Sequence, residues 1–226
     1  MFTKKILLQK LKIALIIPAY VMVYLPWFMY IERLNSVTSR YHIIHMAIDD
    51  YIPFCEYFVI PYFIWFAYVV VGVGFCLFTD EKEFKRSCAF LFTGMTIFLI
   101  VSTLYPNGHH LRPQVFAHNN IFTQLTAHLY SIDTPTNLFP SIHVFNSIGV
   151  HIALCHNQAL AKIKWPKIVS FVICTSIVLS TVFLKQHSMF DMLTAFAMAF
   201  LLYPLVYKID FSPAHHGKKV PQKQEL

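Results

Sequence analysis

Charge is what this chain has least of. Only 13% of its 226 residues are Asp, Glu, Lys or Arg, about half the roughly 25% typical of a soluble domain. With 57% hydrophobic residues and a mean hydropathy of +0.55, that deficit excludes an ordinary soluble domain. Cysteine is scarce too, and its spacing is unpaired. Cys55, Cys76, Cys88, Cys155 and Cys174 lie inside or beside apolar runs, as small buried hydrophobes do, and form neither a disulfide framework nor a metal site. Internal repeats and low-complexity tracts are lacking. Acidic residues number 11 against 18 basic ones, yet the net charge of +7 implies no nucleic acid. The excess sits at the ends of apolar runs, where anionic lipid head groups attract it.

What is present is apolar sequence in membrane-length blocks, over residues 13–31, 54–79, 87–105, 140–157, 166–184 and 190–207. A span needs about 20 such residues. The expected fold is therefore an all-α integral membrane protein, a six-helix transmembrane bundle forming one domain over residues 1–226. A secretory signal peptide is the competing reading of the first block. Its nineteen apolar residues, Pro18 and Pro26, and the lack of a small-x-small cleavage site favour a retained helix. Alternating the blocks across the bilayer leaves Arg33, Arg40, Arg112 and Lys185 on one side and the other 14 of the 18 Lys and Arg on the opposite side. By the positive-inside rule both termini are cytoplasmic, the basic segment 1–12 and the polar tail 209–226 included; the plasma membrane is the expected location.

The outer connections carry weaker signals. Apolar residues at Tyr41, Ile44 and Ile48 predict a short interfacial helix, and Phe116, Ile121, Phe122, Leu125 and Leu129 predict an amphipathic one. The segment Asp80–Arg86 reads as a solvated inner loop, and Asp49-Asp50-Tyr51-Ile52-Pro53 as the cap region of the second span.

Two short motifs open or follow these blocks on the cation-poor side. His187 and Asp191 are four apart, one helical turn, so a carboxylate can hold an imidazole in one tautomer and leave its other nitrogen as base or nucleophile. A plain structural His–Asp hydrogen bond is the bland reading. Pro140-Ser141-Ile142-His143 opens the fourth block, where proline and serine suit a helix start and free amides make an anion site. Here the bland reading is an N-cap serine and an interfacial histidine. Arg112, before Pro113, adds a guanidinium on the same side. His42, His45, His109, His110, His118, His128, His151 and His156 match no common zinc spacing and read as solvated or interfacial.

Together these segments resemble the signature motifs of the type 2 phosphatidic acid phosphatase (lipid phosphate phosphatase) superfamily, Lys-x6-Arg-Pro, Pro-Ser-Gly-His and Ser-Arg-x5-His-x3-Asp. Here they read Tyr105-x6-Arg112-Pro113, Pro140-Ser141-Ile142-His143 and Ser180-Thr181-x5-His187-x3-Asp191. Tyr105, Ile142 and Thr181 depart from the pattern, so two of three cations are missing. Asp133-x-Pro135-x-Asn137, Lys185-Gln186-His187 and Asp49-Asp50-Tyr51-Ile52-Pro53-Phe54 are similar to the branch holding inositol phosphorylceramide synthases and their bacterial relatives.

The resemblance implies hydrolysis of a lipid phosphomonoester or diphosphate on the extracytoplasmic side, without metal or other cofactor. In it His187 is the nucleophile, Asp191 its orienting partner and His143 the general acid. Arg112, Ser141, Ser180 and Lys185 would bind phosphate, Lys185 standing in for the lost cations. Head-group transfer to a second lipid's hydroxyl is the alternative, and a catalytically inactive scaffold is a third. The expected partners are the lipid phosphate and the bilayer.

Overall fold

The computed structural model describes residues 4–37 and 41–208; the tail expected over 209–226 lies outside them. The chain is mostly helical, in the order α1 (Lys4–Ala14), α2 (Ile16–Val37), β1 (His42–Ile43), α3 (Val59–Thr79), α4 (Glu81–Leu104), β2 (Asn107–Gly108), α5 (Ile121–Ile132), α6 (Ile142–His156), α7 (Trp165–Phe183) and α8 (Met189–Tyr203).

Local chemistry sets the starts of these helices. Asp80 caps α4, its carboxylate accepting from Glu83 N at 3.1 Å, and Glu81 and Glu83 place negative charge in the first turn. Asn120 caps α5 through Phe122 N and Thr123 N. Ser141 caps α6. Ser188 and Asp191 form a reciprocal capping box on α8.

Five helical stretches among the described residues are long and apolar enough to cross a membrane: Lys4–Asn35, Glu56–Thr79, Glu81–Leu104, Trp165–Phe183 and Met189–Lys208. Large apolar side chains cover their outer faces (Phe200 is 79% exposed), as expected of a membrane-embedded protein. The fourth expected block folds as α6, which has only 15 residues. At 1.5 Å per residue that is about 22 Å, short of the roughly 30 Å hydrocarbon core. This short helix is the centre of the bundle, packed against α3, α4, α7 and α8.

Two expectations are corrected. Residues 81–86 are not a loop. They form the first turns of α4, because Asp80 supplies the cap, and Glu83 is buried, accepting from Tyr207 Oη at 2.8 Å. Residues 41–48 do not form the expected helix either; only Ala47 and Ile48 are helical, at the start of a single 3-10 turn. The backbone before these two pairs with the loop after α4, His42 N donating to Pro106 O and Ile44 N to Gly108 O, both at 2.8 Å. A parallel β1–β2 pair results, followed by a tight turn over Ala47–Asp50. The chain is helical over Ile121–Ile132 as α5, with Phe116 before it.

Close approach of α4 to α6 depends on Gly94. A Cβ there would lie 2.0 Å from Phe145 Cε1, while Phe145 itself stacks on Phe90 at 4.7 Å. Small residues at such crossings let helices pack within a bilayer. Gly94→Ala is therefore expected to destabilise the protein by about 1–3 kcal/mol. Thermal unfolding in detergent measures it, and an unchanged midpoint would remove this contact from the packing argument.

Candidate active site

α6 and α8 begin side by side, Ser141 N donating to Asp191 O at 3.3 Å. This contact brings the two histidine motifs together: the rings of His143 and His187 are 5.7 Å apart, centroid to centroid. Both line a small cavity of about 50 Å³, together with Glu32, Asp133 and Asn137.

His187 lies in the short connection between α7 and α8 and is 5% exposed. Its Nδ1 is 3.4 Å from Asp191 Oδ2, which also accepts from Ser188 N at 2.9 Å. Asp191 is fully buried, and its Oδ1 has no hydrogen-bond partner among the described residues. The carboxylate thus has spare accepting capacity beside the imidazole. Among the described residues nothing hydrogen-bonds His187 Nε2.

His143, in the first turn of α6, is gripped by aromatic rings of α3. Tyr62 stacks on it at 4.6 Å and Trp65 packs at 4.3 Å. Its Nδ1 is buried without a partner among the described residues. Among those residues the ring is fixed by packing, with no hydrogen bond to its nitrogens.

Arg112 stands behind the cavity wall. Its Nη1 donates to Tyr130 O at 3.3 Å and Asp133 O at 2.8 Å, the carbonyls at the end of α5. Its Nη2 donates to Gln186 Oε1, and its guanidinium lies 4.4 Å from the Tyr130 ring centre. Positive charge at a helix C-terminus and over an aromatic face is favourable. Burial nevertheless holds the guanidinium below its usual pKa, with the Asp133 charge opposing that shift. Asp133 shows the complement: burial raises its carboxyl pKa, and Arg112 pulls it back. Asp133 Oδ2 accepts from Tyr62 Oη at 3.1 Å and Gln186 Nε2 at 3.3 Å, so one network joins α3, α5 and the His187 connection. Arg112→Met would remove the donor to the Tyr130 and Asp133 carbonyls and to Gln186, and with it the positive charge near the buried Asp133. It is expected to cost about 1–3 kcal/mol, read as a fall in the thermal midpoint; an unchanged midpoint would mean that the network holds without it.

The remaining expected phosphate ligands are occupied elsewhere. Ser141 Oγ caps its own helix through Val144 N, and Ser180 Oγ donates to Ile177 O at 2.6 Å. Lys185, with φ 52°, turns its ammonium to Asp49 O at 2.6 Å and does not line the cavity. Burial lowers its pKa, and Asp49 and Asp50 work against that. Tyr105, in the place of the resemblance's lysine, stacks on His42 at 4.1 Å.

Several site residues escaped sequence reading. Glu32, on α2, accepts from Asn137 Nδ2 at 2.8 Å and from Thr134 Oγ1. His109 was expected at the surface, but it is 1% exposed. Its Nδ1 accepts from Leu111 N, so its Nε2 carries the proton and donates to Gln186 O at 2.9 Å. Burial pushes its pKa down to about 4, which makes it a neutral strut beneath the His187 connection. No periodicity marks these residues; only the motif Asp133-x-Pro135-x-Asn137 gave a hint.

No family model, curated protein or solved structure matches this chain.

Proposed function

We propose that this protein is a membrane lipid phosphatase that cleaves a lipid phosphate ester through a phosphohistidine on His187, as a divergent member of the type 2 phosphatidic acid phosphatase superfamily. The observation that carries this reading is the meeting of His143 and His187 on one small cavity with the buried Asp191 behind His187. Neither histidine is committed to a structural hydrogen bond through the nitrogen the reaction would use. The phosphoryl group enters at the start of α6. There the helix dipole and first-turn amides favour an anion, whereas the amides of α8 are already taken by Asp49, Ser188 and Asp191.

In the first step His187 Nε2 attacks phosphorus, and the bond from phosphorus to the lipid oxygen breaks. In this scheme His143 starts the step protonated and passes its proton to the leaving alkoxide. Water then attacks phosphorus, returns a proton to His143 and releases phosphate and free His187. Asp191 holds the imidazole and stabilises its positive charge. Arg112 acts at one remove, anchoring Asp133 and Gln186. Six spans with α6 as the short fourth, α5 at the interface, cytoplasmic termini and an extracytoplasmic site in the plasma membrane complete the reading.

Head-group transfer to a lipid hydroxyl is a second reading, favoured by Glu32 and Asp133 on the cavity wall. Carboxylates repel a phosphate dianion but accept hydrogen bonds from a hydroxylated head group. The test is a panel of lipid phosphomonoesters, diphosphates and diesters given to detergent-solubilised protein in chelator, with and without an acceptor lipid. Phosphate release without acceptor supports hydrolysis, and acceptor-dependent product supports transfer. Inactivity across the panel in material that melts cooperatively would favour a scaffold and overturn the proposal.

A further inference from the structure

We infer that Asp49 is a positioning residue for the nucleophile: it holds the start of α8 so that the Asp191 carboxylate stays on His187. The inference rests on the reading of His187 as nucleophile. Asp49 lies more than 130 residues away in sequence, in the turn Ala47–Asp50, and is only 2% exposed. Its Oδ1 accepts from Met189 N at 2.8 Å, and its Oδ2 from Ser188 Oγ at 2.5 Å and Met46 N at 2.8 Å. Its backbone carbonyl accepts from Lys185 Nζ at 2.6 Å. The turn therefore grips residues 185, 188 and 189, on both sides of His187.

This grip has two consequences. First, Lys185 is a non-glycine residue in the left-handed region, at φ 52°. Such a backbone costs energy unless its surroundings over-determine it, and the lysine's bond to Asp49 O does so. It sets the direction in which the chain leaves α7 and presents His187. Second, a helix start exposes amides that seek acceptors. Asp49 takes the amide of Met189, while Ser188 Oγ serves Phe190 N. Asp191 is left with a single amide, Ser188 N, and its remaining capacity faces His187. Without Asp49, the amide of Met189 is unsatisfied at the helix start, and Asp191 Oδ1, unpaired among the described residues, is an acceptor in the same first turn. Recruiting it would turn the carboxylate away from the imidazole.

Asp49 touches no reacting atom in this scheme, so its loss acts on the rate and not on binding. The test is a double-mutant cycle of Asp49→Ala and Asp191→Asn, measured as kcat per phosphorylatable site on the substrate the wild type turns over fastest. Asp49→Ala alone is expected to lower kcat by about 30-fold with KM changed less than twofold, misplacement of a catalytic group by an ångström costing on the order of a hundredfold. In the Asp191→Asn background the same substitution is expected to cost less than about threefold, since residues that act as one unit are not additive. An equal loss in both backgrounds, or a rise in KM that accounts for the loss, would make Asp49 purely structural and overturn the inference. Where Asp49→Ala fails to fold, Ser188→Ala and Lys185→Met, each removing one arm of the grip, enter the same cycle under the same criteria. His187→Ala is run first: activity surviving there refutes the nucleophile reading itself, and this inference with it.

Discussion

His187→Ala is expected to lose at least about 10⁴-fold in kcat/KM on every substrate, because no phosphoenzyme forms without the imidazole. The structure gives this residue no other task that would explain such a loss. Among the described residues its Nδ1 reaches only Asp191, and it lines the cavity. Asp191→Asn is expected to lose roughly 10²- to 10⁴-fold, by analogy with the orienting carboxylate of a catalytic triad. The asparagine oxygen can still accept from Ser188 N, as Asp191 Oδ2 does at 2.9 Å, so the capping box survives. What disappears is the negative charge beside the imidazole. Quenching in alkaline detergent after incubation with radiolabelled substrate reads both variants: the wild type carries an alkali-stable, acid-labile label, Asp191→Asn acquires it slowly, and His187→Ala carries none. Turnover by His187→Ala within tenfold of the wild type would end the phosphohistidine mechanism.

Much of the architecture was legible because it rests on composition. Apolar blocks of span length marked all the long helices, and the residues that start them, Asp80, Ser141 and Ser188, are cap formers in plain sight. The solvated-loop reading of 80–86 failed because a charged run at a helix start looks the same as a loop until its cap is recognised. The interfacial helix expected at 41–48 failed because the partner of that segment, Pro106–Gly108, lies over 60 residues downstream. Pairing of that kind leaves no local period.

The candidate site was legible only where sequence neighbours also meet in space. His187 and Asp191 share a turn, and so do Ser141 and His143, so spacing alone proposed them. Their mutual approach depends on the packing of α6 beside α8, which the motif resemblance suggested and periodicity could not. Residues contributed by remote elements stayed hidden: Tyr62 and Trp65 of α3 around His143, Glu32 of α2 on the cavity wall, and His109 beneath Gln186. Lys185 misled in the opposite direction. Its position two residues before His187 suggested a phosphate cation, yet a left-handed backbone at that residue accompanies an ammonium turned to Asp49. The site therefore has fewer cations than its motifs implied, and Glu32 and Asp133 make the cavity wall acidic.

That shortage sharpens the expected behaviour of His143. With little fixed positive charge to stabilise a departing alkoxide, protonation of the leaving oxygen carries more of the work. General acid catalysis typically supplies about 10²- to 10⁴-fold. A lipid alkoxide is a poor leaving group and needs all of it, whereas a nitrophenolate departs without a proton. His143→Ala is therefore expected to lose at least about 10³-fold on a lipid phosphate ester but less than about 30-fold on a nitrophenyl phosphate. The structure makes the substitution interpretable: His143 packs against Tyr62 and Trp65, and among the described residues its Nδ1 has no hydrogen-bond partner to orphan. His143→Phe keeps the ring packing and removes the proton, so it is expected to show the same split between substrates. His187→Ala, by contrast, loses both activities alike, since either leaving group departs only as His187 bonds to phosphorus. Equal ratios of loss for the two histidines across the two substrates would show that His143 is not the acid. Its place on the cavity wall would then have to be explained by substrate binding, with KM rather than kcat carrying the effect.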